Sequence, residues 1–277
     1  YLNLANYLNP KFSSFKTLHA ENLFAIKKLT KSKKIYNQIK KNGIIYGWHS
    51  SKQIAFILEE ENKNEEALKY LSNVYKKISK PTINNTYDFA EFLKRNEKFD
   101  KSIEHYTEVL DKISKEHHLF TKATFGRGIA FERTNQWEKS EIDLLNSLSV
   151  SPNQPYVINY LAYSWIEKGK NIPKSLKMLE KANNLKNQDG YIIDSLGWAM
   201  FKLKKYQEAK KYLELAVIFM PSDPVVNDHF GDALWMNENT LQARYYWNYV
   251  LNLKETDQKL KNKIKNKLIF GLKIKNL

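Results

Sequence analysis

The 277-residue sequence predicts an all-α solenoid of about seven stacked helix pairs, closed by a C-terminal capping helix. Three observations carry that prediction. A self-similar pattern recurs about every 34 residues, all seven prolines fall where helices begin or end, and no period-2 alternation bounded by turns recurs as strands would need. Hydrophobic residues make up 42% of the chain, enough to bury a core, and a 13% aromatic content argues against disorder.

The period is clearest around Leu196-Gly197, Ala209, Leu213, Ala216 and Pro221, which occupy positions 7, 8, 20, 24, 27 and 32 of a unit starting at Gly190. Adding 34 gives Phe230-Gly231, Ala243, Trp247 and Val250. Backwards along the chain the small pair at positions 8 and 20 recurs as Ala162 and Ser175, Gly128 and Ser140, Ala90 and Ser102, Ala55 and Ala67, and Ala20 and Ser32. Small residues at these two positions let two helix backbones approach closely, while larger residues at 7, 11, 24 and 27 fill the space beside them.

In order, the units run near 13–47, 48–82, 83–120, 121–154, 155–189, 190–223 and 224–257, preceded by the end of a truncated repeat in 1–12. Pro10, Pro152 and Pro221 fall at position 32, Pro81 at 34, Pro155 and Pro224 at 1, and Pro173 at the start of a second helix. Each of these places tolerates a residue with no backbone N–H. Ser222 and Asp223 read as caps for a helix starting at Pro224. The third unit is longer, with an expected loop around Ser114 to His118, and Gly169 to Pro173 lengthens one turn. Gln258 to Phe270 reads as an amphipathic helix with Leu260, Ile264, Leu268 and Ile269 on one side, capping the last unit within a basic segment, 258–277. If Pro10 is position 32, Tyr1 lies inside a second helix, so the chain is expected to be a fragment of a longer repeat protein from which any signal peptide or lipid anchor has been removed.

This pattern resembles the tetratricopeptide repeat (TPR), a helix, a tight turn and an antiparallel second helix, and the resemblance covers nearly the whole chain. It implies a right-handed α-solenoid. The stretches Asn159 to Trp165, Gly190 to Ala199 and Asn227 to Trp235 resemble the C-terminal repeats of long bacterial TPR proteins. Members of that group often carry an export signal or lipoprotein anchor, and some act as periplasmic adaptors that bring substrates to a processing protease. The resemblance therefore points to a periplasmic or membrane-associated place, while the residues themselves leave a cytoplasmic one open.

Composition and motifs narrow the function classes. The absence of Cys excludes a disulfide framework, a thiolate metal site and a cysteine nucleophile, and no apolar run approaches the ~18 residues of a membrane span. No phosphate-binding loop, dinucleotide fingerprint, HExxH or GxSxG occurs, so no enzyme, cofactor, metal or small-molecule substrate is expected. The net charge of +15 is concentrated at the ends, with +8 in residues 1–47 and +6 in 254–277. It is mostly Lys rather than a continuous Arg-rich stripe, which argues against nucleic acid. Basic ends leave a second reading open, an assembly module contacting acidic protein, lipid headgroups or RNA.

What remains is a surface. In TPR proteins positions 2, 5, 9 and 12 of the first helices line the concave groove. Carried onto this chain the stripe is Lys122, Phe125, Ile129 and Glu132; Tyr156, Asn159, Tyr163 and Ile166; Tyr191, Asp194, Trp198 and Phe201; and Val225, Asp228, Asp232 and Trp235. From it the expected protein- or peptide-binding residues are Tyr156, Asn159, Tyr163, Tyr191, Asp194, Trp198, Asp228, Asp232 and Trp235. Rings would anchor a bound segment, or pack across adjacent repeats, and the Asp cluster would suit a cationic guest. Position 5 carries Phe125, Asn159, Asp194 and Asp228, which does not match the clamp by which chaperone-type TPRs hold a C-terminal carboxylate. On this reading, alanine at Asp194 and Trp198 weakens partner binding and leaves melting nearly intact.

Overall fold

The structure, a computed structural model, describes residues 1–9 and 12–273 apart from the side chains of Asn3, Asn6 and Ile44. The assignment of Pro10 and the last four residues of the tail lie outside the described residues. Sixteen helices and no strand are found among the described residues. A short α1 (Leu2–Leu8) precedes seven helix pairs: α2 (Ser13–Ala25) with α3 (Leu29–Ile39), α4 (Ile44–Glu60) with α5 (Asn64–Lys76), and α6 (Ile83–Arg95) with α7 (Phe99–Leu110). Then follow α8 (Phe120–Arg133) with α9 (Trp137–Val150), α10 (Pro155–Glu167) with α11 (Ile172–Leu185), α12 (Gly190–Lys202) with α13 (Tyr206–Phe219), and α14 (Pro224–Met236) with α15 (Thr240–Asn252). The last helix is α16 (Gln258–Phe270). The chain divides into two compact units, Tyr1–Asp143 and Leu144–Leu277. No helix is long and apolar enough to cross a membrane among the described residues.

α4 starts at Ile44, ahead of the 48 expected for its unit, because Gly43 at φ 104° turns the chain into an extra helical turn that the repeat register does not signal. Elsewhere helix starts have visible local causes. Asp189, Asp223 and Asp257 accept backbone N–H groups from the first turns of α12, α14 and α16, satisfying donors that a helix leaves without intrahelical partners. Thr82 and Asn85 form a reciprocal capping box at α6.

All seven turns between paired helices share one device. A residue with positive φ follows each first helix: Lys27, Asn62, Glu97, Asn135, Gly169, Lys204 and Glu238. The next N–H then reaches back to a carbonyl in the last helical turn, as in Lys98 N to Leu93 O at 2.9 Å and Lys205 N to Met200 O at 3.0 Å. This closes the helix end and starts the antiparallel partner within three residues. Only one of the seven positions is Gly, which is why the sequence carries no glycine signal there.

The core follows the repeat positions. Ala20, Ala55, Ala67, Ala90, Ala162, Ala209 and Ala243 are fully buried, as are Ser32, Ser102, Ser140 and Ser175. Where the second member is Ser, its hydroxyl can tie the helices together: Ser32 Oγ donates to Ala20 O at 2.7 Å and Ser102 Oγ to Ala90 O at 2.9 Å. At position 24 Tyr36, Leu71, Tyr106, Leu144, Leu179, Leu213 and Trp247 are all excluded from solvent. A Cβ added at Gly197 would come within 2.7 Å of Leu213 Cγ, so this helix pair depends on the missing methyl.

Candidate functional site

In the second unit the first helices of successive pairs meet through the positions expected to face a guest. Asp194 on α12 accepts from His229 Nδ1 on α14 at 3.0 Å. One pair further on, Asp228 of α14 accepts from Lys263 of α16 at 3.0 Å, and Asp232 from Lys267 at 2.5 Å. Lys267 also reaches Asp228 at 2.5 Å. Each link spans 35 residues, one repeat plus one, apart from the last, which spans 39. α16 therefore continues the stack in the role of an eighth first helix, with Ile264 buried in the core that holds Leu234, Trp247 and Val250. In the first unit Asp88 of α6 plays the same part, accepting from Trp48 Nε1 at 2.9 Å and Lys52 Nζ at 2.7 Å on α4.

The rings follow the same logic. Trp198 stacks on His229 with centroids 4.0 Å apart and on Phe201 at 4.8 Å, and its Nε1 donates to Glu167 Oε1 at 2.6 Å. Trp235 packs 5.3 Å from Trp247, beneath Gly271, whose φ of 72° and missing Cβ let the chain pass over the ring. Trp247 Nε1 donates to Asp232 at 3.1 Å.

Electrostatics hold this network closed. Burial alone pushes the His229 imidazolium down, but Asp194, backed by Asp228 and Asp232, more than reverses it, so the pKa rises above its ordinary 6.5. Burial likewise works against charge on Asp228, yet Lys267 and Lys263 bring its pKa below the usual carboxylate value. Asp232, buried beside Asp228, is pushed up to about 6. Paired carboxylates with separated pKa values are a pattern of acid–base catalysis. Here both are 2% exposed and bound to lysine.

The repeated helix pairs, their short turns and their register can be set beside known proteins. No family model matches the chain. A tetratricopeptide repeat protein from Parabacteroides merdae, 14% identical, superposes with a TM-score of 0.69 over 91% of this chain and 97% of its own. The APC/C hetero-tetramer Cut9–Hcn1 gives 0.71 at 16% identity, over 96% of this chain and 51% of that one. The fold is that of the tetratricopeptide repeat. A TPR repeat-containing protein of Pseudomonas aeruginosa is 26% identical over 143 residues, which is 52% of this chain and 23% of the relative, so the match spans under a quarter of that relative's length.

Within this TPR fold the nine expected groove residues separate into two sets. Asp194, Trp198, Asp228 and Asp232 are buried and already bonded within the chain, and Trp235 is half-buried under the C-terminal segment. Stacking of one first helix on the next encloses the first four, and α15 and Gly271 cover Trp235, so these five offer little surface to a guest. Because both side chains are bonded within the stack, alanine at Asp194 and Trp198 is expected to lower stability rather than leave melting nearly intact. Tyr163 is half-buried against the core, and burial beside Glu167 and Asp194 raises its pKa. Asn159 is half-buried, with its Oδ1 enclosed and lacking a hydrogen-bond partner.

Tyr156 and Tyr191 remain at the surface, 47% and 59% exposed. Tyr156 donates to Asp189 Oδ2 at 2.9 Å, with Lys186 Nζ 4.1 Å from its ring centroid. Tyr191 borders a cavity of about 470 Å3 together with Phe219, Met220 and Leu253. The residues that sequence reasoning missed are Glu167, Lys263 and Lys267. For the two lysines the available signal was spacing, since an acid at position 5 or 9 and a base 35 residues later recur twice between α14 and α16.

Proposed function

We propose that this chain is a non-catalytic TPR scaffold that binds a segment of a partner protein along the face made by the N-terminal ends of its first helices. One observation carries the reading. Tyr156, Tyr191 and Val225 recur at position 2 of successive pairs, all at the start of a first helix and all exposed beside a fully packed row. Large rings held on a rigid helix end offer apolar area and a polar tip at small entropic cost, which suits an adaptable guest. Structural neighbours with the same helix pairs support a protein-interaction role in general, and Cut9–Hcn1 is itself a hetero-tetramer. The reading through basic ends is weakened at the C-terminus, where Lys263 and Lys267 turn inward onto aspartates.

A photo-crosslinking residue placed at Tyr156 or Tyr191 should capture the same partner, and one at the still more exposed Tyr245 of α15 should not. The Tyr156→Ala/Tyr191→Ala double variant should melt as the parent does and bind that partner roughly tenfold more weakly or worse, as for loss of interface anchors. Equal capture from all three positions would overturn the assignment.

A further inference from the structure

The first unit has a second recessed surface, on the side of its second helices. α5 stands apart from α7, and between them lies a cleft of about 780 Å3, within the ~300–1,000 Å3 typical of binding sites. Its floor is apolar and pre-formed. Tyr75 and Phe89 stack with centroids 4.3 Å apart, His105 meets both rings edge-on at 5.2 and 5.0 Å, and the Tyr75 hydroxyl is paired with Thr86 at 2.9 Å. Leu68 and Ile78, both half-buried, form one wall and leave apolar surface facing the opening.

Charge on the rim is asymmetric. Lys69 and Lys76 stand on the α5 side, seven residues and so about 10 Å apart along the helix. Lys98 and Lys101 stand on the α7 side. All four are exposed, and among the described residues none of them has an ion-pair partner. Two acids, Glu65 and Glu104, also line the rim. An apolar trough between two rows of unpaired lysines is complementary to a helix with one apolar face and acidic flanks.

We infer that the cleft between α5 and α7 is a docking site for an acidic amphipathic helix of a partner protein, distinct from the tyrosine-bearing face. The α5 wall from Glu65 to Lys76 fits about three turns of such a helix. A polynucleotide suits it less well: the floor rings are already stacked on each other and the rim holds no Arg.

The test uses the full chain and three probes carrying the same fluorophore: a 16-residue helical peptide with leucines on one face and glutamates on its flanks, the same peptide with every Glu replaced by Lys, and a 12-nucleotide oligouridylate. The Glu peptide should bind at least roughly tenfold more tightly than the Lys peptide, with affinity falling as salt rises. Lys98→Glu/Lys101→Glu and, separately, Ser72→Trp, which fills the cleft from its wall, should each weaken binding about tenfold, whereas Lys211→Glu in the second unit should change nothing. Because the double charge reversal lies on the exposed rim, it tests the site even if Ser72→Trp fails to fold. Equal binding of the two peptides, or indifference to both cleft variants, overturns the proposal. Oligouridylate binding lost in Lys98→Glu/Lys101→Glu would make the site one for nucleic acid, and self-association lost in those variants would make its occupant a second copy of this chain; either result overturns it.

Discussion

His229 shows how a single side chain is set by its neighbours. Its ring is sandwiched against Trp198 and bonded to Asp194, with Asp228 and Asp232 on its own helix and Lys263 and Lys267 facing those two from α16. The three aspartates match three cations only when His229 is protonated, which is the direction of its shift above 6.5. A histidine whose folded pKa is raised adds stability that is fully present below its unfolded value and is lost as pH rises through the folded one. The second unit should therefore lose stability as pH rises from about 6.5. Asp232, raised to about 6, acts with the same sign at lower pH, between 3.8 and 6. In thermal melts between pH 6.5 and 9, His229→Gln should flatten the slope; an unchanged slope would show that His229 is neutral in the folded chain.

At the scale of the element, the repeating turn is the unit that pairs the helices, and its left-handed residue is its weak point. Lys204 at φ 62° and Glu97 at φ 58° adopt a conformation that costs an L-residue about 1 kcal/mol or more and glycine nothing. Lys204 is exposed between α12 and α13, so Lys204→Gly removes that strain without removing a packed side chain. It should raise stability by about 0.5–1 kcal/mol, read as a higher denaturant midpoint at unchanged m-value. The same change at Lys211, an exposed residue inside α13, should destabilise by a similar amount through lost helix propensity. Glycine at Gly197 works in the opposite sense, through the absence of a methyl that would collide with Leu213.

For the whole molecule, stability is distributed, because each pair packs chiefly on its neighbours. Lys267 is the buried cation of the last such interface, and Lys267→Ala leaves Asp228 and Asp232 enclosed with the partly exposed Lys263 as the cation facing them from α16. Breaking a buried pair from one side typically costs about 3–5 kcal/mol. Hydrogen exchange on that variant should show lost protection across α14 to α16 with α4 to α7 unchanged. Loss of protection throughout the chain would mean that the two units unfold as one cooperative block.

The helices and their pairing were legible from local signals, since small residues at positions 8 and 20, proline at the edges and Asp caps act within a helix or between immediate neighbours. Ala209, Gly197, Pro224 and Asp223 all sit where spacing alone puts them. The start of α4 was not legible, because its extra turn depends on Gly43 and not on the repeat. The face of each first helix was legible as a stripe, but not what covers it: Asp194, Trp198, Asp228, Asp232 and Trp235 carry the same periodicity whether a guest or the next helix lies opposite. Only the tertiary structure decided that, by bringing His229 and Lys267 against them and leaving Tyr156 and Tyr191 outside. Helical periodicity specifies direction around one axis, whereas burial depends on what a neighbouring axis places there, and that information lies 35 residues away along the chain.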